Sequence, residues 1–129
     1  MIGGVIGNLT DPVALLLGRF DATGRLRHAG RTVPLLTAQR QELGVLLPVA
    51  AWNGPYQRHL WPYPLPAAWT GQFDRPQPVD YIPVEPVIVV EVSADVAWEH
   101  GRWRHPLRLL RTRLDLEPED VNLPSAPFA

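Results

Sequence analysis

Proline sets the first limit on what this chain can become. Between Trp52 and Tyr81 it carries Pro55, Pro62, Pro64, Pro66, Pro76 and Pro78, densest in Trp61-Pro62-Tyr63-Pro64 and Pro76-Gln77-Pro78. Proline fixes φ and has no backbone N–H, so a stretch this dense can be neither a helix nor a central strand. It is expected as an extended connection with one short strand, with Trp52, Trp61 and Trp69 pinning it to a core. The regular elements must lie on either side.

Before it, the apolar run Val13–Phe20 is followed by the turn residues Asp21, Ala22, Thr23 and Gly24, then by the alternating segment Arg25–Val33. This reads as a β-hairpin with a longer loop. In its second strand Arg25, Arg27, Ala29, Arg31 and Val33 would share one face, a basic stripe, with Leu26, His28, Gly30 and Thr32 on the other. Thr37–Leu47 reads as a helix capped by Thr37 and limited by Pro48, with Leu43, Leu46 and Leu47 near one face. After the proline stretch, Pro86–Val92 is β-branched and expected as a buried strand. Gly101 separates two further candidate strands, Ala97–Trp103 and Leu107–Arg113, by breaking the segment that holds them. Glu117–Asp120 looks like a short acidic turn. About five strands with one inserted helix is the pattern of an all-β, five-stranded OB-type β-barrel, and an SH3-like barrel is the alternative.

With 129 residues, 46% of them hydrophobic, the chain suits one globular domain. Its net charge of −1 gives no global attraction to nucleic acid, so only a local basic surface could supply one. There is no cysteine, which excludes disulfides and thiolate zinc sites. No membrane-length apolar run or basic leader is seen, so a cytoplasmic location is expected.

All twelve basic residues are arginine. Without lysine, chemistry that uses a lysine amine as nucleophile is impossible on this chain. Arg102, Arg104, Arg108, Arg111 and Arg113 fall within twelve residues. Guanidinium groups suit phosphate because they offer a planar two-pronged donor. The same spacing also fits the solvated face of an amphipathic helix, with Leu107, Leu110 and Leu114 behind it.

The segment Arg111-Thr112-Arg113-Leu114-Asp115-Leu116 resembles motif VI of the ATP-dependent DNA ligases, an Arg-x-Arg-x-Asp-Lys core in their C-terminal OB domain. Both arginines and the aspartate match, and Leu116 stands where the family has lysine. Three further pieces are similar to the same bacterial domain, in the same order. Leu17-Gly18-Arg19-Phe20-Asp21 with Gly24-Arg25-Leu26 and Gly30-Arg31-Thr32 resembles its opening hairpin, Val84–Val92 its central strand, and Trp98–Pro106 the approach to motif VI. The likeness runs from about Gly3 to Asn122.

The resemblance implies a domain that closes over ATP during lysine adenylation and later turns a face to the DNA nick, in the service of DNA repair, replication and recombination. Arg108, Arg111, Arg113 and Asp115 would then lie near the ATP phosphates in the intact enzyme, and Arg25, Arg27, Arg31, Arg102 and Arg104 would contact the DNA backbone. The family's nucleophilic lysine belongs to a Lys-x-Asp-Gly motif in a preceding nucleotidyltransferase domain, which this sequence lacks. The chain is therefore expected to have no catalytic residue in isolation and to hold no cofactor stably, ATP and Mg2+ belonging to the intact enzyme. Its implied partners are nicked double-stranded DNA and a nucleotidyltransferase domain in cis or in trans. Residues 1–12 would be the remnant of the inter-domain hinge, 13–122 the OB-fold domain and 123–129 a flexible tail.

The other residues add little chemistry. His28, His59, His100 and His105 lack paired ligand spacing, so no metal site is expected. Ser93 and Ser125 have no nucleophile motif around them. Trp98 and Trp103 are candidates for stacking on bases. Two other readings stay open: a free-standing nucleic-acid-binding OB module, and a structural remnant or docking subunit for a separate nucleotidyltransferase.

Overall fold

The first thirty residues carry apolar runs, Leu15-Leu16-Leu17 among them, that suit strands buried on both faces, and they build most of one sheet. In the computed structural model, which describes residues 1–55, 59, 61–69, 77–93, 98–99, 102–103 and 106–121, strands β1 (Ile2–Asn8), β2 (Asp11–Phe20) and β3 (Leu26–Arg31) form an antiparallel meander. Strand β4 (Ile82–Pro83) adds to the free side of β1, giving the order β3-β2-β1-β4. Two antiparallel ribbons complete the β-structure: β5 (Val90–Ser93) with β8 (Arg108–Thr112), and β6 (Trp98–Glu99) with β7 (Arg102–Trp103). Helix α1 (Thr37–Leu46) follows β3 and runs into a 3₁₀ turn at Leu47–Ala50, where Pro48 ends the α-geometry.

The expected closed five-stranded barrel is not present as one continuous ladder among the described residues. Prolines explain the gaps, because Pro83 and Pro86 remove N–H donors between β4 and β5. Single hydrogen bonds cross these gaps instead. The Ile2 N–H donates to the Ile88 carbonyl (3.0 Å), the Leu107 N–H to Arg31 (2.8 Å) and the Val33 N–H to Leu107 (2.7 Å).

Both faces of the main sheet are covered. On one face Ile2, Val5, Leu15, Leu17 and Ala29 pack with Leu43 and Leu47 around α1 and with Val84, Ile88, Leu107 and Leu109. On the other, Leu16 and Leu26 pack under Trp61, Leu65, Tyr81 and Val89. The proline-rich connection therefore supplies Trp61, Leu65 and Tyr81 to the core, and Trp61 is 2% exposed. Its indole N–H donates to the Leu26 carbonyl (3.1 Å), and the expected short strand reduces to a bridge between Leu65 and Val79.

The opening residues, expected as the remnant of an inter-domain hinge, are built into the sheet. Ile2–Asn8 is a strand whose first residues are buried, Met1 packing with it. Its glycines serve space rather than motion. A Cβ on Gly3 would collide with the Trp61 ring, and one on Gly4 with the Tyr81 ring. Gly18 in β2 clears the same indole from the next strand.

Three smaller differences have equally local causes. The buried strand expected over Pro86–Val92 begins only at Val90, since Glu85–Val87 folds into a tight turn that leaves Val87 56% exposed. Helix α1 is not capped by Thr37. The Gln39 side-chain carbonyl accepts the Leu36 N–H (3.0 Å), fixing the first turn. The strand expected over Ala97–Trp103 is described only as two short pieces, β6 and β7, which pair with each other, and Gly101 and the tail 122–129 lie outside the described residues.

Candidate functional site

The arginine-rich segment is a strand, so the helical alternative is set aside. In an ideal strand Arg108 and Arg111, three apart, would point to opposite faces. An extra residue in β8 changes this. Val92 pairs with Leu109 and Glu91 with Arg111, so Leu110 bulges out, 48% exposed. Leu109 points into the core, while Arg108 and Arg111 pair with Ser93 and Glu91 on the outward side.

Around the end of β8 the charges form one network. Glu91 takes Arg111 two-pronged, through Nε to Oε2 (3.2 Å) and Nη2 to Oε1 (3.2 Å). Its Oε1 also accepts from Arg113 Nη1 (3.1 Å). Asp115 receives the other edge of Arg113, from Nε (3.0 Å) and Nη2 (2.9 Å). Hydrogen bonds from Arg111 hold the Glu91 carboxyl below the usual carboxylate range, and those from Arg113 bring Asp115 down to about 2. Hydrogen bonding to Asp115 raises the Arg113 guanidinium above its ordinary value. Backbone contacts fix the frame: the Arg113 N–H donates to Val89 (2.8 Å) and the Leu116 N–H to Arg113 (3.1 Å). Leu116 packs against the Trp61 cluster, which gives its apolar side chain a place where a lysine ammonium would be a poor neighbour.

Helix α1 holds β8 from behind. Gln39 Nε2 donates to the Leu109 carbonyl (2.8 Å), and Thr112 Oγ1 donates to Glu42 (2.7 Å). Arg108 has no carboxylate partner among the described residues. It borders a cavity of about 300 Å³ lined by Val33, Pro34, Leu35, Leu36, Gln39 and Leu109.

The second set of expected arginines is only partly together. Arg25 and Arg27 are exposed at the start of β3, and Arg27 is paired with Asp21 (3.0 Å). The same carboxylate accepts from Thr23 Oγ1 and from the Thr23 and Arg25 N–H groups, which closes the turn and lowers its pKa. Gly24 sits there at φ 82°, a left-handed position that suits glycine. Arg31 does not share their face. A register shift puts three residues of β3, Gly30 to His28, opposite Leu17 and Gly18. Arg31 then pairs with Leu16, of the Trp61 side, and Arg27 with Arg19. The expected single stripe is therefore split. Arg102 lies in β7, beside β3, with its side chain outside the described residues, as is Arg104.

No group of His, Asp or Glu among the described residues is arranged to hold a metal ion. His59, 7% exposed, sits in the core. Its Nε2–H faces the Val84 carbonyl (3.2 Å) while Nδ1 accepts the Trp61 N–H (3.2 Å). Burial lowers its pKa. No helix among the described residues is long and apolar enough to cross a membrane. Sequence reading singled out the arginines but missed Glu91 and Gln39. A charged residue inside the apolar run Val87–Val92 was the available signal for Glu91.

No protein-family model and no curated protein matches the sequence. Among solved structures the chain is similar to the ligase domain from M. tuberculosis LigD, with a TM-score of 0.69 and 25% identity. The match covers 94% of this chain and 36% of that one, so the chain spans about a third of the length of the structure it resembles.

Proposed function

We propose that this chain is an OB-type domain of the ATP-dependent DNA ligase kind, acting beside a nucleotidyltransferase domain in cis or in trans. The observation that carries the reading is the likeness to a ligase domain along nearly the whole chain. The strand path supports the OB assignment: β1 to β2 to β3 by ladders, β3 to β8 through Leu107, β8 to β5 by a ladder, and the Ile88 carbonyl back to β1.

In this reading Arg111 and Arg113, with Arg108 beside them, meet the β- and γ-phosphates when the domain closes on the nucleotide. Their donors fit such a group. Glu91 and Asp115 already occupy them with paired oxygens, the geometry a phosphate edge also presents. Charge builds on pyrophosphate as the α-phosphate is attacked, and guanidinium groups held in place stabilise it. Before a phosphate arrives, Asp115 meets Arg113 and orients its guanidinium. ATP would supply the adenylyl group, and Mg2+ would be held elsewhere in the intact enzyme. In this reading Arg25 and Arg27, exposed at the start of β3, touch a DNA backbone.

Binding of the chain to a nicked duplex tests the DNA side of this reading. Three to five phosphate contacts give a slope of roughly −3 to −5 for log affinity against log salt, and Arg25→Ala with Arg27→Ala flattens it by about two contacts. Affinity that ignores salt, or no binding at low salt, would contradict the assignment.

A further inference from the structure

In the arrangement seen, Arg111 and Arg113 already give half of their N–H donors to carboxylates. Arg111 gives two donors to Glu91, and Arg113 gives three, shared between Glu91 and Asp115. Two guanidinium cations face two carboxylates, so the four groups sum to zero charge. The donors turned toward the carboxylates suit a phosphate edge equally well, because both anions present two oxygens to the same planar fork. A phosphate can bind these donors only by taking the place of a carboxylate.

The surroundings make that exchange cheap. The side chains of Glu91 and Asp115 are 34% and 64% exposed, so either can turn to water. Ion pairs at such exposure contribute little stability, and releasing them costs correspondingly little. The backbone that carries the arginines is fixed independently of the pairs, by the Arg113 N–H to Val89 and by Gln39 to the Leu109 carbonyl. The guanidinium groups therefore stay near each other when a carboxylate leaves. Arg108, on the same outward side and without a carboxylate among the described residues, adds one positive charge at the border of the network.

We infer that Glu91 and Asp115 form an electrostatic latch on the phosphate site, one that admits anions carrying several closely spaced charges and excludes singly bridging ones. This rests on the reading of Arg111 and Arg113 as phosphate ligands. A lone orthophosphate must compete with two carboxylates already tethered beside the donors. A di- or triphosphate brings enough charge and enough oxygens to replace both at once. The latch gives the site a preference for polyphosphate over the inorganic phosphate and chloride that surround it, and it keeps the arginines ordered while the site is empty of nucleotide.

The test titrates the full chain with inorganic tripolyphosphate and with orthophosphate at low salt, by calorimetry and by NMR of the arginine Nε–H groups. The native chain should bind tripolyphosphate weakly and orthophosphate not at all. Glu91→Gln keeps the side-chain shape and removes one negative charge. It should bind tripolyphosphate about tenfold more tightly, as expected for one unit charge at a few ångströms near a surface, and should gain orthophosphate binding. Asp115→Asn should shift both in the same direction. Glu91→Gln binding equal to or weaker than native, with Arg111→Ala/Arg113→Ala abolishing tripolyphosphate binding, would overturn the latch and leave the arginine site standing. Undiminished tripolyphosphate binding by the double-alanine variant, or no binding by native and Glu91→Gln chains alike, would overturn the site itself and the latch with it.

Discussion

Strands β2 and β8 are both rich in leucine, yet they are held in different ways. Strand β2 lies between two partners, has both faces covered, and buries Leu15, Leu16 and Leu17 to 4% exposure or less. Strand β8 has one ladder partner, β5, and presents Arg108, Leu110 and Arg111 outward. Burial of apolar surface fixes the first region, and that term is large and indifferent to salt. Exposed ion pairs organise the second, where each term is small and responds to salt, pH and competing anions. A surface that must exchange partners is better built the second way, on a scaffold held the first way.

Breaking the scaffold should produce the largest effect. Trp61→Ala removes the indole that Gly3 and Gly18 leave room for, with its hydrogen bond to Leu26. The expected cost is about 3–5 kcal/mol in urea unfolding, the range for a large aromatic lost from a core. A loss within the noise of the measurement would mean that the proline-rich segment only rests on the sheet.

Gly44→Ala comes next. By helix propensity alone alanine should stabilise α1 by about 1 kcal/mol. Its Cβ would collide with the Thr10 carbonyl oxygen, backbone that cannot easily give way. A net loss of about 1–3 kcal/mol is expected, as for other overpacked sites. Stabilisation would show that α1 is not pressed against the β1–β2 turn.

Acid should separate the regions by pH. Burial lowers the His59 pKa below 6.5, so the unfolded chain binds the proton more readily. Stability therefore falls as pH drops through about 6.5 and goes on falling until the folded pKa is passed. Burial also lowers the Met1 amine from 8.0 to about 5, so both groups contribute to a slope in melting temperature between pH 8 and pH 5, and His59→Gln should remove only the part below about 6.5 that belongs to the imidazole. The Asp115 contribution has a lower window. It is present above 3.8 and is lost as pH falls from there toward about 2.

The smallest effect on folding is expected from Arg111→Ala with Arg113→Ala. Their side chains are 65% and 30% exposed, and the melting temperature should hardly move. A large drop would make β8 part of the scaffold rather than a surface built upon it.

The parts legible in the sequence were those governed by local pattern. The hairpin, the helix at Thr37 and the strand within Leu107–Arg113 follow from alternation and helical spacing. What stayed hidden depended on distant partners. The glycines of Ile2–Asn8 read as flexibility because the rings they accommodate, Trp61 and Tyr81, lie far along the chain, beyond the helix. The basic stripe of β3 failed at a single register shift, and the Arg108–Arg111 face was created by one at Leu110. No spacing rule announces a bulge. The motif VI-like arginines were visible as a resemblance, but their neutralisation by Glu91 was not, because Glu91 lies twenty residues before Arg111 on the neighbouring strand.

If β8 serves nucleotidyl transfer as proposed, the rate of lysine adenylation measures it most directly. A nucleotidyltransferase domain of a related ligase, fused ahead of the chain, would be followed with labelled ATP and Mg2+. The native chain alone is the blank, since it has no lysine to carry the label. The predicted result is faster adenylation with the native chain attached than without it, and loss of at least about tenfold of that rate with Arg111→Ala/Arg113→Ala. Equal rates for the native and double-alanine fusions would contradict it.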